Sequence, residues 1–148
     1  YWAATRASAE ADDLDAALDL ATEGVNRHSA HPVLRNNLAV LLEATGAMAE
    51  AEAALRQLLA EETALPQPFK NLGDLCYRAG RYDEAATHYT RAAALAPELG
   101  DDLYFKLGNL AFRERDVARA RQCWERTLVL NPGHQLARAN LDTLRVAR

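Results

Sequence analysis

The sequence predicts an all-α fold, a solenoid of antiparallel helix hairpins closed by a C-terminal capping helix. Three observations carry this prediction. Alanine supplies 31 and leucine 23 of the 148 residues, while the β-formers are few, so helix propensity dominates throughout. Apolar residues recur at helical spacing, as in Leu34, Leu38 and Leu41 and then, after a break at Gly46, Met48, Ala51 and Leu55. The pattern itself also recurs: Leu38, Gly46 and Ala51 return as Leu72, Gly80 and Ala85, an offset of 34. Phe69, Leu72 and Gly73 return as Tyr104, Leu107 and Gly108, an offset of 35.

The elements follow in order along one repeat domain, residues 1–148. Residues 1–31 keep Leu14, Ala17, Ala21 and Val25 at helical spacing and read as part of a unit that has lost the start of its first helix. Residues 32–65 form the first complete unit, two amphipathic helices around Gly46. Residues 66–99 form the second, broken at Gly80 and ended by Pro97, whose ring removes a donor and clashes with the preceding turn. Residues 101–134 form the third, with Arg115 where the others carry the turn glycine and Pro132 at the end. Gly73 and Gly108 are expected to let the first helix of a unit approach the second, opposite Ala85 and Ala120. Residues 135–148 make the cap: Ala137, Leu141 and Leu144 face the previous unit, and Arg138, Asp142 and Arg145 solvate the other side, as a solenoid end requires.

These residues resemble the tetratricopeptide repeat family. Its signature runs through Phe69, Leu72, Gly73, Gly80, Tyr82, Ala85, Tyr89, Ala92 and Pro97, and almost as fully through residues 101–134, where Ala111 replaces an aromatic. Residues 32–65 are weaker, with Arg35, Ala39, Leu42, Met48, Leu55 and Thr63 at signature positions. The resemblance implies a right-handed superhelix whose concave groove is lined by the first helix of each hairpin and receives a peptide segment of a partner. Transferred by register, the groove positions include Asn36 and Asn37; Lys70, Asn71, Asp74, Tyr77 and Arg78; Phe105, Lys106, Asn109, Phe112 and Arg113; and Asn140 on the capping helix. Lys70 and Lys106 are the sequence's two lysines, and with Tyr77, Phe105 and Phe112 they point to a partner of mixed apolar and acidic character. The clamp by which some family members hold acidic chaperone C-termini is not expected, because Val40 and Asp102 stand where it wants Asn and Lys.

Other classes of function find little support. A net charge of −4 gives no positive field for nucleic acid or an anionic membrane, and Glu43, Asp74 and Asp102 interrupt any basic stripe along the groove. No apolar run approaches the ~20 residues of a membrane span. No cofactor and no metal site are expected: His28 and His31 sit at a helix end, and His88 and His134 read as isolated. Ser8 and Ser29 are the two serines, neither in a strained turn that would activate a hydroxyl, and the glycines punctuate repeats instead of cradling phosphate. The Asp12, Asp13 and Asp15 cluster reads as a helix start. Cys76 and Cys123 lack metal or redox spacing and read as reduced core residues.

The reading is therefore a non-enzymatic interaction scaffold. Its alternative is an assembly module that self-associates weakly, or docks on another domain of a larger parent, through an N-terminal edge carrying Tyr1 and Trp2. The opening Tyr1-Trp2, without Met or a signal pattern, points to a piece of a longer chain or a processed product. No segment assigns a compartment, with the cytoplasm favoured over the periplasm. Fifteen arginines against two lysines, with abundant alanine, fit a GC-rich bacterial genome.

Overall fold

The structure, a computed structural model, describes residues 2–146, with side chains from residue 12 onward. Eight helices and no strands are found among the described residues. They are α1 (Trp2–Arg27), α2 (Pro32–Ala44), α3 (Met48–Ala60), α4 (Pro66–Arg78), α5 (Tyr82–Leu95), α6 (Asp101–Arg113), α7 (Val117–Leu130) and α8 (Gln135–Val146). This is an all-α solenoid of helical hairpins. The chain divides into two compact units, Tyr1–Leu75 and Cys76–Arg148, and the division falls inside α4.

In the first unit α2 packs against α1 and α3. Ala39, Ala51, Leu55, Leu58, Leu72 and Leu75 are buried, whereas Met48, expected on the same apolar stripe, is about half exposed at 44%. Residues 2–27 make one continuous helix, because no Pro interrupts them and the first Gly, Gly24, arrives only as the helix ends. Arg35 on α2 forms a forked ion pair with Glu61 at the end of α3, and that hydrogen bonding holds the Glu61 carboxyl below its usual range.

In the second unit α6 packs against α5 and α7, and α7 against α8. Ala111, Ala120, Trp124, Ala137 and Leu144 form a buried cluster, with Phe105, Leu128 and Leu141 packed against it. The cap thus meets the preceding hairpin through Ala137, Leu141 and Leu144. Asn131, which follows α7, donates to Asp101 at the start of α6 over 3.0 Å, and this bond lowers the Asp101 pKa.

The hairpin turns share one backbone solution. Ala47 N donates to Leu42 O at 2.8 Å, Arg81 N to Cys76 O at 2.9 Å and Asp116 N to Ala111 O at 2.9 Å, the six-to-one bond that closes a helix C-terminus. The residue just before each donor is left-handed: Gly46 at φ 88°, Gly80 at 77° and Arg115 at 62°. At the other end of the hairpins, Ala96 and Asn131 are forced to extended ψ values of 88° and 91° by Pro97 and Pro132.

Candidate functional site

The predicted groove residues of the first unit largely satisfy one another. Asn36 is buried, with 7% exposure, and its Oδ1 accepts from Asn71 Nδ2 at 3.0 Å. The repeat register has Asn36 facing a partner. Its amide instead joins α2 to α4, since a buried amide needs a partner and Asn71 is within reach. Lys70 Nζ donates to Asp74 one turn on at 3.0 Å, and Asn37 remains exposed.

The second unit gathers more of the prediction. Tyr77, near the end of α4, is half-buried, its ring 5.8 Å from that of Tyr82 and 6.4 Å from that of Tyr89. Lys106 Nζ lies 5.7 Å from the Tyr77 ring centroid while pairing with Asp102 at 3.0 Å. Asn109 Nδ2 donates to Tyr77 Oη at 3.3 Å, and Asn109 Oδ1 accepts from Trp124 Nε1 at 3.2 Å. An amide engaged at both ends has its orientation set. Arg113 stacks its guanidinium 4.2 Å over the Tyr82 ring, and Arg78 is exposed.

Phe112 and Phe105 behave differently, although both are aromatic and lie on α6. Phe112 is 50% exposed and rests on Trp124 with ring centroids 5.7 Å apart. Phe105, also expected in the groove, packs against the buried cluster and lies 4.6 Å from the His134 ring. The difference is one of neighbours: Phe105 meets His134 in the turn that leads into α8 and is partly buried there.

Phe112, Asn109 and Trp124, with Asn140, Thr143 and Leu144 of α8, line a pocket of about 300 Å³. Its floor is apolar, its walls carry two amides, and Thr143 Oγ1 is turned to Ala139 O at 3.0 Å. Sequence reasoning misses Trp124 as a site residue, because its place in the repeat marks it as core. The signal that finds it is Gly108. A Cβ there would overlap Trp124 Cδ1 and Nε1 and lie 3.1 Å from Cε2, so the glycine makes room for the indole and not, as expected, for Ala120.

Two histidines that read as isolated in the sequence are not. His134 Nδ1 accepts from Ala137 N at 3.1 Å, capping the first turn of α8. His88 lies beside Cys76 and Glu84. Neither cysteine is in a disulfide; Cys76 is buried, and burial pushes the partly covered Cys123 thiol up against an opposing pull from Arg119. Tyr1 lies outside the described residues, and the Trp2 side chain does too, so the expected N-terminal edge is outside what the structure describes.

The tetratricopeptide repeat profile matches residues 66–99 and 101–134, the same two stretches over which hairpin, turn and proline punctuation coincide. Those two stretches are tetratricopeptide repeats. No match to the chain is found among curated proteins. Solved tetratricopeptide structures share the fold. MamA superposes with a TM-score of 0.75 at 20% identity, over 89% of this chain and 77% of that one. YrrB, described as a TPR protein with an unusual peptide-binding site, gives 0.75 at 19% identity, over 82% of this chain and 62% of that one. The first TPR of Spaghetti (RPAP3), bound to the HSP90 peptide SRMEEVD, gives 0.68 at 19% identity, over 78% and 91%. At these identities the likeness is one of fold. Tetratricopeptide repeats are interaction scaffolds, with binding surfaces built from stacked helices. No described helix is long and apolar enough to cross a membrane.

Proposed function

We propose that this tetratricopeptide protein is a non-enzymatic scaffold whose second unit binds a peptide segment of a partner protein, with one apolar side chain seated in the pocket between α6, α7 and α8. The observation that carries the reading is Phe112, half exposed over Trp124 at the mouth of that pocket. An exposed aromatic over a rigid apolar floor is the usual anchor of a recognition surface. Asn109 and Asn140 supply amides for the backbone of the bound segment. YrrB, with its peptide-binding site, and the peptide complex of RPAP3 share the fold and support the class of partner.

The chemistry of the segment shifts from the expectation drawn on sequence. Lys106 is paired with Asp102, and Asp102 would repel a terminal carboxylate. The segment is therefore mainly apolar, and an acidic C-terminus is not its recognition feature.

The test is capture of partners on immobilised protein, followed by affinity measurement on the peptide identified. Phe112→Ala and Asn140→Ala each weaken binding, Phe112→Ala by about 2 kcal/mol or more as an aromatic anchor that the bound segment covers. Val129→Ala on α7, outside the pocket, leaves it unchanged. Binding indifferent to both pocket variants would remove this reading.

A further inference from the structure

We propose that Cys76, Glu84 and His88 form a binding site for a borderline-soft divalent transition metal, zinc being the ion whose ligand preferences fit best. One donor atom from each residue lies within 4.8 Å of the other two. Cys76 Sγ and Glu84 Oε2 already stand 3.9 Å apart. Donors around a tetrahedral zinc ion sit roughly 3.5 Å from one another, given bonds of about 2.0 to 2.3 Å. Rotamer adjustments by Glu84 and His88, which are only partly buried, bring the three donors to that spacing.

The local structure explains why the residues converge. Glu84 and His88 are four apart on α5 and so share one face one turn apart. Cys76 comes from α4, just before the turn that carries the chain into α5. Arg81 in that turn approaches Glu84 Oε1 at 3.8 Å, so the other carboxylate oxygen is the one facing the thiol. An outer partner that orients a ligating carboxylate is a normal component of a metal site.

The set is particular to this hairpin. One repeat later the same register holds Ala111, Arg119 and Cys123, and one repeat earlier Leu42, Glu50 and Ala54. Hairpin packing therefore does not demand a thiol, a carboxylate and an imidazole at these places. The charge also balances. A thiolate and a carboxylate neutralise a dication, which lowers the penalty of placing an ion beside a buried thiol. On binding, the Cys76 S–H proton leaves to solvent, the sulfur, a carboxylate oxygen and an imidazole nitrogen donate to the ion, and water takes the fourth position. Nothing is oxidised or reduced. The bound ion ties the end of α4 to the first half of α5.

The experiment is a titration of the 148-residue chain with Co²⁺, whose bond to a thiolate gives a near-ultraviolet charge-transfer band. The expected result is one ion per chain, the band present, and its displacement by Zn²⁺. Cys76→Ser removes the band and Cys123→Ser leaves it. Because Cys76 is buried, His88→Ala is the second variant, with helicity followed by circular dichroism. It lowers affinity by more than the roughly 10-fold that marks loss of even an outer partner, with the fold intact. A wild-type chain without the band, a band that survives Cys76→Ser, or unchanged affinity in a folded His88→Ala protein would each overturn the proposal.

Discussion

Gly108 and Trp124 illustrate how one residue sets the character of the second unit. The missing side chain at Gly108 lets the indole of α7 lie flat enough against α6 for Nε1 to reach Asn109 at 3.2 Å. Asn109 then reaches Tyr77, and Phe112 covers the indole. Gly108→Ala forces a backbone-anchored Cβ and a rigid ring into the same volume. The expected destabilisation is about 1 to 3 kcal/mol, the usual range for overpacking, despite the better helix propensity of alanine. A Trp2→Phe background leaves Trp124 as the single indole, so its emission, shifted toward that of a solvated ring, reads the displacement directly. Unchanged emission and stability would mean that the helices separate without effort, contrary to close packing. The legibility of these residues in sequence was uneven for the same reason. Register alone offers Phe112, Asn109 and Phe105 as equivalent candidates, and it could not tell that Phe105 packs beside His134, nor that Asn36 and Asn71 bind each other, because both depend on which side chain the neighbouring element presents.

At the scale of elements, helices and turns were readable because each has a local cause. Pro97 and Pro132 stop α5 and α7 by denying the preceding residue helical geometry, and Gly46 and Gly80 supply the left-handed residue of the helix-closing turn. The third turn adopts the same geometry with Arg115, at φ 62°. The equivalence of backbone bonds across the three turns shows that the fold imposes this conformation whatever residue occupies it. An L side chain there bears a penalty of roughly 1 kcal/mol that glycine avoids. Arg115→Gly is accordingly expected to stabilise the protein by about 0.5 kcal/mol, since relief of that penalty is partly opposed by the greater freedom of glycine in the unfolded chain. Denaturant midpoints measured beside Gly80→Ala, expected to move the other way although its Cβ would meet nothing within 4 Å, separate conformational strain from crowding. The metal-ligand cluster was illegible at this scale. Cys76 is twelve residues from His88 across a turn, a spacing that matches no contiguous ligand motif, and only the turn after Arg78 brings them together.

For the whole molecule, the repeat period made the solenoid class readable from 34- and 35-residue offsets, because hairpins of fixed length can bury their faces only by stacking on neighbours. What periodicity could not provide was the behaviour of the first and last helices, where the repeat pattern is incomplete and constrains the chain less. At the first end, residues 2–27 became one helix. At the other, α8 does more than solvate: Ala137 and Leu144 complete the cluster around Trp124, and Asn140 and Thr143 form one wall of the pocket. Truncation after Asn131 therefore tests stability and site together. Loss of α8 uncovers Trp124, Ala111 and Phe105, and in a nearest-neighbour array the penalty falls on the helices that contacted it. Hydrogen exchange in α6 and α7 should rise well above that in α2 and α3, the melting temperature should fall, and any peptide captured by the intact chain should be released. Uniform loss of protection along the whole chain would instead show a single all-or-none unit, and unchanged protection in α7 would mean that the cap contributes nothing to the cluster it closes.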